Sequence, residues 1–193
     1  MSSAEEIRAI ALVEFASAGY GATSIQRLAD AAGLSKSAVL YHFPSKEILL
    51  EAAISPAIDR MDRMIDSLLA GPLTAEARRR FVSEFADFLL EYRLPVHMFI
   101  NQGQALVDVP VIERANALVA RLAEYFSSNT GSVEETMRFA IALGGAAYML
   151  CRPESLEIQT APTDEVRAAL VAIMTSLLLP AGRASLPAAS PTA

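Results

Sequence analysis

The sequence predicts an all-α protein built from two parts, a small N-terminal helical domain and a larger helical domain that follows it. Apolar residues recur at the spacing of amphipathic helices along most of the 193 residues, and no segment shows the sustained alternation of a strand. Hydrophobic residues make up 53% of the chain, which is enough to bury a sizeable core. Capping residues, glycines and prolines divide the chain into about nine helices.

Each expected helix begins at a serine, a threonine or a proline, the residue types that favour a helix start. The expected starts are Ser2 or Ser3, Thr23, Ser35, Ser45, Thr74, Pro95, Pro110, Ser132 and Thr163. Gln26 lies at capping-box spacing from Thr23 and is expected to cap that helix. The helices become longer and more apolar near residue 55. We therefore expect a first domain over residues 1–55, a second over residues 56–180, and a loose tail rich in Ala, Pro and Ser over residues 181–193.

Residues 24–43 carry the pattern of a helix-turn-helix, two short helices joined by a tight turn. Gly33 lies in that turn, where a positive φ costs glycine nothing. Hydroxyl, ammonium, imidazole and phenol groups lie on the outward side of the second of these helices, and they suit phosphates and base edges in the DNA major groove. The candidate DNA contacts are Ser35, Lys36, Ser37, Ala38, Tyr41 and His42, with Lys46 as a phosphate contact at the start of the next helix.

The first 55 or so residues resemble the N-terminal domain of the tetracycline-repressor (TetR) family of bacterial transcription regulators. The resemblance rests on four stretches in order and at fixed spacing, residues 15–20, 23–24, 28–35 and 41–49. It implies DNA binding by the helix-turn-helix and adds Thr23 and Ser24 to the candidate contacts. Two positions depart from the family pattern: Ser37 replaces the usual glycine, and Leu40 stands where a phosphate-contacting tyrosine is common.

In this family the second domain binds a small molecule and forms the dimer. The resemblance therefore implies a homodimer on a palindromic operator and a repressor released by an effector. Methionines and aromatic residues with little charge nearby indicate a mostly apolar ligand. The candidate pocket residues are Met61, Met64, Phe85, Phe88, Leu89, Tyr92, Met98, Phe99, Gln102 and Tyr148. The candidate dimer-interface residues, on the eighth and ninth helices, are Ala140, Gly144, Ala147, Val166, Leu170, Ile173 and Leu177.

Composition and motifs disfavour several other classes of function. The chain has 16 basic and 22 acidic residues, a net charge of −6, which argues against a protein that coats nucleic acid without specificity. No apolar run suits a membrane span, no secretory signal is recognisable, and the single cysteine, Cys151, cannot form an internal disulfide. We therefore expect a cytoplasmic protein with an inert thiol. We find no catalytic constellation, no cofactor motif and no metal-ligand cluster, and we expect none of these.

Two alternatives stay open at this point. The helix-turn-helix could be a structural element of a helical dimer that binds no DNA, or the chain could be an all-helical enzyme with an unrecognised site. A salt-dependent shift with duplex DNA would separate the first alternative from a regulator, and turnover of a substrate would identify the second.

Overall fold

The computed structural model describes residues 3–151 and 161–179, and every regular element within these ranges is a helix. The predicted all-α fold is confirmed. The elements follow in the order α1 (Ser3–Ala18), α2 (Ile25–Ala31), α3 (Lys36–His42), α4 (Lys46–Leu69), α5 (Ala75–Glu91), α6 (Arg93–Gln102), a 3-10 helix (Gly103–Leu106), α7 (Pro110–Asn129), α8 (Val133–Cys151) and α9 (Thr163–Leu178). The expected start at Ser2 and the expected tail over residues 181–193 lie outside the described residues. Within them, no helix has the length and apolar character that crossing a membrane requires.

Side-chain caps set most of the helix starts. Ser35, Ser45 and Thr74 each accept a hydrogen bond from the backbone N–H three residues later, which confirms these predicted caps. The predicted start at Thr23 is wrong by one residue, because Ser24 caps α2 by accepting from Arg27 N–H. The role expected of Gln26 is also wrong, because its amide donates to the Asp30 carboxylate at 2.7 Å, one turn further along α2.

Helix α6 begins at Arg93, two residues before the predicted start at Pro95. A proline is tolerated there because the N–H groups of a first helical turn have no partner within the helix. Only Tyr92 separates α5 from α6, and its N–H still bonds the Phe88 carbonyl at 2.9 Å. The chain therefore changes direction at a single residue, with no loop between the two helices.

The buried residues form two hydrophobic clusters, and the first of them lies among the short helices of the first domain. Ile7, Phe15, Leu28 and Val39 are buried at its centre. Helices α2 and α3 have only seven residues each, so they cannot enclose a core alone. Later parts of the chain complete the cluster, through Met98, Leu106, Val111 and Ile112. The boundary expected at residue 55 falls within α4, whose residues enter both clusters.

The second cluster joins the C-terminal half of α4 to α5, α7, α8 and α9. The Phe126 and Phe139 rings stack within it, with their centroids 3.8 Å apart. Ion pairs bind the same helices together at the surface. Arg167 on α9 donates to both carboxylate oxygens of Asp87 on α5, and Arg121 on α7 pairs with two aspartates of α4.

Candidate DNA-binding surface and ligand cavity

The turn between α2 and α3 depends on Gly33, which has a φ of +64°. This left-handed conformation lets the chain reverse in three residues, and Leu34 N–H then bonds the Ala29 carbonyl at 2.9 Å. A Cβ at Gly33 would meet no atom within 4 Å, so only the backbone conformation requires glycine at this position. The two helices are thereby held in the arrangement that the sequence pattern predicts.

Helix α3 presents one face to the core and the other to solvent. Val39 is fully buried, whereas the side chains of Lys36, Ser37, Tyr41 and His42 are exposed. The Tyr41 ring is 84% exposed and meets the His42 imidazole edge-on, at 5.4 Å between centroids. An exposed phenol of this size has no packing role in the chain itself. Four of the predicted DNA-contacting side chains therefore share one open face of α3, with the half-buried Ala38 beside them.

The serine hydroxyls at the start of these helices already have partners. Ser24 and Ser35 act as N-caps, and the Ser35 hydroxyl also lies 3.0 Å from that of Ser37. Both caps remain exposed, so each can still meet a phosphate. Thr23 cannot. Its side chain is buried and donates to the Gly19 carbonyl at 2.8 Å, so the predicted contact of the Thr23 side chain with DNA is wrong.

Lys46 is held inside the first domain rather than presented to solvent. Its ammonium donates to the carbonyls of Tyr20 and Thr23, at 2.9 and 3.0 Å, and lies 4.1 Å from the centre of the Tyr20 ring. Burial and the nearby Glu47 carboxylate raise the pKa of the Tyr20 hydroxyl. Lys46 thus ties the start of α4 to the turn between α1 and α2. The predicted phosphate contact would need the one remaining N–H of this ammonium.

A cavity of about 360 Å³ lies between the two hydrophobic clusters. Its lining comes from α4 to α8 and is apolar apart from Tyr148. Six of the residues predicted from sequence border it, namely Met61, Phe85, Phe88, Leu89, Phe99 and Tyr148.

The other four predicted pocket residues lie elsewhere. Met64 and Met98 are fully buried in the two clusters, one in each. Tyr92 packs on Phe88 beyond the cavity wall, at 5.4 Å between ring centroids, and burial raises the pKa of its hydroxyl. Gln102 hydrogen-bonds the first domain. Met98 and Phe99 are neighbours on α6 but point to different sides, a distinction that residue type alone does not reveal.

The sequence analysis missed the contribution of α7 to the cavity, and from α4 it predicted the lining residue Met61 alone. Ile54 and Ile58 of α4, and Ile112 and Leu118 of α7, line it as well as packing in or against the first cluster. They occur at helical spacing, like any core residue. Ile54 and Ile58 could have been found from their agreement in phase with Met61 on the same helix, whereas the α7 residues had no such signal. The cavity therefore shares a wall with the core of the first domain.

The predicted dimer residues divide into two groups. Ala140, Gly144 and Ile173 are exposed, as are Met137 and Ile141 of α8. The remaining four pack wholly or partly against the interior, and their place in an interface stays a prediction. Leu170 is buried, and Val166, Leu177 and Ala147 pack on the second cluster. Ala147 and Gly144 also line the cavity.

A metal site requires clustered ligand side chains, and a reactive thiol requires a lowered pKa. No group of three or more His, Cys, Asp or Glu side chains in ranges 3–151 and 161–179 is placed to hold a metal ion. Burial raises the pKa of the Cys151 thiol to about 11, against a smaller opposing effect of Arg93. The His97 ring contacts the Cys151 backbone carbonyl at 2.9 Å. The thiol is therefore not activated as a nucleophile.

Comparison with known proteins agrees with this geometry. Residues 7–53 match the model of the bacterial regulatory proteins of the tetR family. This segment is similar to the DNA-binding domain of that family. The resemblance seen in the sequence is thus confirmed, and the matched residues are those that form α1, α2, α3 and the first part of α4.

Two curated relatives from Bacillus subtilis (strain 168) match part of the chain. The HTH-type transcriptional regulator YerO is 35% identical over 78 residues, and the HTH-type transcriptional regulator YuxN is 31% identical over 94 residues. These matches cover 38% and 48% of this chain. The chain spans only 27% and 32% of the two relatives' own lengths.

Solved structures resemble the whole described fold. A TetR-family transcriptional regulator from Bordetella parapertussis superposes with a TM-score of 0.66 at 20% identity, covering 92% of this chain and 94% of that one. The ketosteroid transcriptional regulator KstR2 of Mycobacterium tuberculosis gives 0.63 at 14% identity, covering 91% and 94%. At these identities the likeness concerns the fold alone. The helices that follow the matched segment thus have the same arrangement in these regulators.

Proposed function

We propose that this protein is a sequence-specific DNA-binding transcriptional regulator. The observation that carries the proposal is the open face of α3, where Lys36, Ser37, Tyr41 and His42 lie together on a segment similar to the tetR-family DNA-binding domain. A helix with this set of donors and acceptors fits the major groove and can read base edges there. The family and the structural neighbours are regulators, so we assign no catalytic activity to the chain.

The first 50 residues carry no net positive charge. DNA binding therefore depends on a local basic patch and on the presence of two copies of that patch. Residues 1–50 contain four basic and five acidic side chains. Arg27 is paired with Glu14 at 2.5 Å, and Lys46 is held by two carbonyls, so Lys36 is the basic group best placed to meet a phosphate. A single copy would bind weakly. We propose a homodimer in which two α3 helices read a palindromic operator, with affinity that falls steeply with added salt.

The proposed ligand is a small, mostly apolar molecule. A cavity of about 360 Å³ is large enough for such a ligand, and the apolar lining would not compensate the desolvation of several charges. Because the cavity shares Ile54 and Ile58 with the core of the first domain, a ligand that fits only one arrangement of the domains would change DNA affinity. We propose release of the operator as the response, that is, a repressor.

The deciding experiment selects duplexes from random DNA with the purified full-length protein at near-physiological salt. The expected result is enrichment of a palindrome, with binding weakened by Tyr41→Ala and by Lys36→Ala. Arg79→Ala is the matched control, because Arg79 is an exposed cation on α5, away from α3. Absence of enrichment from a folded dimer, or equal affinity in all three variants, would show that α3 does not read DNA.

A further inference from the structure

The side-chain amide of Gln102 joins the end of α6 to the end of α1. Its Nε2 donates to the Phe15 carbonyl at 2.8 Å, and its Oε1 accepts from the Tyr20 N–H, also at 2.8 Å. These bonds connect residues 87 and 82 positions apart in the chain. They use a donor and an acceptor of one planar group, so they define both the position and the rotation of α6 relative to this turn.

The turn over Phe15–Tyr20, which Gln102 hydrogen-bonds, directly precedes α2, the first helix of the helix-turn-helix. Gly19 takes a φ of +91° there, and the Tyr20 carbonyl accepts from the Lys46 ammonium. Thr23 N–H bonds the same Tyr20 carbonyl at 3.3 Å, one residue before the α2 cap. Helices α6 and α4 are thus both fastened to Tyr20, one through its N–H and the other through its carbonyl.

The side of α6 next to Gln102 forms part of the cavity wall. Val96, Phe99 and Ile100 line the cavity, and Phe99 lies less than one helical turn before Gln102. The helix ends at Gln102 and continues as the 3-10 helix. A shift of Phe99 caused by a molecule in the cavity would therefore move Gln102 as part of the same rigid element, and with it the two hydrogen bonds.

We propose that Gln102 is a positioning residue that transmits the filling of the cavity to the helix-turn-helix through the Phe15–Tyr20 turn. The inference rests on the proposed function, because it assigns a route to the ligand response. Met98 and Phe99 also pack against the first domain, but apolar contacts slide more easily than a hydrogen-bonded amide. The role of Gln102 is therefore separable from that of the packing around it.

The test fills the cavity by mutation and measures the response at the helix-turn-helix. Ala147→Phe, on α8 and remote from α1, occupies part of the cavity; Val119→Phe, at a half-exposed lining position, serves if the first variant does not fold. Each is combined with Gln102→Met, which keeps a long unbranched chain and removes both hydrogen bonds. Asn101→Ala is the matched control, because the hydrogen bonds of the Asn101 amide among the described residues go to His97 in its own helix.

The readout is amide hydrogen exchange at Thr23 and Leu28, whose N–H groups bond Tyr20 and Ser24 rather than Gln102. We expect filling the cavity to change these exchange rates by at least about threefold in the original and Asn101→Ala backgrounds. In the Gln102→Met background the change should fall to less than about 1.5-fold. An equal response with Gln102→Met, or no response in the original protein, would overturn the inference.

DNA binding by the same variants separates this inference from the proposed function. If no duplex binds but exchange responds as expected, the coupling through Gln102 stands and the proposed regulator role fails. If the selected palindrome binds and exchange at Thr23 does not respond, the regulator role stands and this route fails.

Discussion

Lys36 and Lys46 are the two lysines of the chain, and their surroundings differ. Lys36 is exposed at the start of α3, whereas the Lys46 ammonium donates to two carbonyls. We expect Lys46→Met to lower the free energy of unfolding by about 1 to 3 kcal/mol, because bonds from a charged donor are lost and carbonyls are left unpaired. Denaturant unfolding measures this loss.

Lys36→Met is the control for that substitution. It should change the free energy of unfolding by less than about 0.5 kcal/mol and reduce the slope of log affinity against log salt by about one. A Lys46→Met variant that keeps its stability and loses one unit of this slope would contradict the structural role and restore the predicted phosphate contact.

Residue roles could be predicted where local chemistry decides them. Ser35 is a cap because its hydroxyl reaches an N–H within its own helix. Thr23 and Ser24 look equally suited to capping, and only the tertiary contact of Thr23 with Gly19 separates them. A glutamine is a suitable residue for the polar end of a ligand pocket, which is why the sequence predicted that role for Gln102. Nothing near Gln102 in the sequence indicates that its partners lie more than eighty residues away.

At the scale of an element, the turn between α2 and α3 depends on one glycine. Gly33→Ala should destabilise the protein by about 1 to 2 kcal/mol, since an alanine in the left-handed region has this cost and no packing change accompanies it. Gly21→Ala is the control, because Gly21 has equal space and no positive φ. Thermal unfolding measures both losses of stability. If Gly33→Ala loses no more stability than Gly21→Ala, the turn relaxes to accommodate the alanine.

The ion pair between Asp87 of α5 and Arg167 of α9 makes a pH-dependent contribution to the stability of the fold. Hydrogen bonds from Arg167, with its charge, lower the pKa of the Asp87 carboxyl. The stabilisation is therefore complete above the ordinary carboxyl pKa, about 4, and is lost as the pH falls through the lowered value. Asp87→Asn should reduce the urea midpoint slightly at neutral pH, and the difference from the original protein should shrink in acid. A constant difference would contradict this assignment.

Helix boundaries were more predictable than helix directions. Capping and proline rules placed most starts within a residue or two, because those rules act within one turn of the chain. They did not predict that α5 and α6 meet at Tyr92, since the position of Pro95 in the first turn of α6 follows from how both helices pack. The same packing turns Met98 away from the cavity and Phe99 towards it.

In the whole molecule, the two hydrophobic clusters and the cavity between them form one continuous interior. The sequence predicted a division at residue 55, because helix character changes there. The structure completes the first core with residues 98–112, which no local pattern assigns to it. Long-range packing of this kind escapes sequence reasoning, since helical periodicity says which face is buried but not against which partner.

The largest-scale prediction concerns the apolar face of α8 and α9. Ile141 and Ile173 are 57% and 56% exposed, and Met137 is equally so, on a face with few charges. Such a face favours a two-fold contact with a second copy. Ile141→Glu should raise the dimer dissociation constant at least about a hundredfold, because symmetry places two unpaired carboxylates in one apolar interface. Sedimentation velocity over a concentration series measures this change.

Val13→Glu is the matched control, since Val13 is 51% exposed on α1 and lies outside the predicted interface. It should leave the dimer intact. Operator affinity should fall together with dimerisation in Ile141→Glu, because one α3 helix reads only half of a palindrome. If Ile141→Glu stays dimeric at the dissociation constant of the original protein, the copies associate through another surface, and the spacing of their α3 helices must be derived from that surface instead.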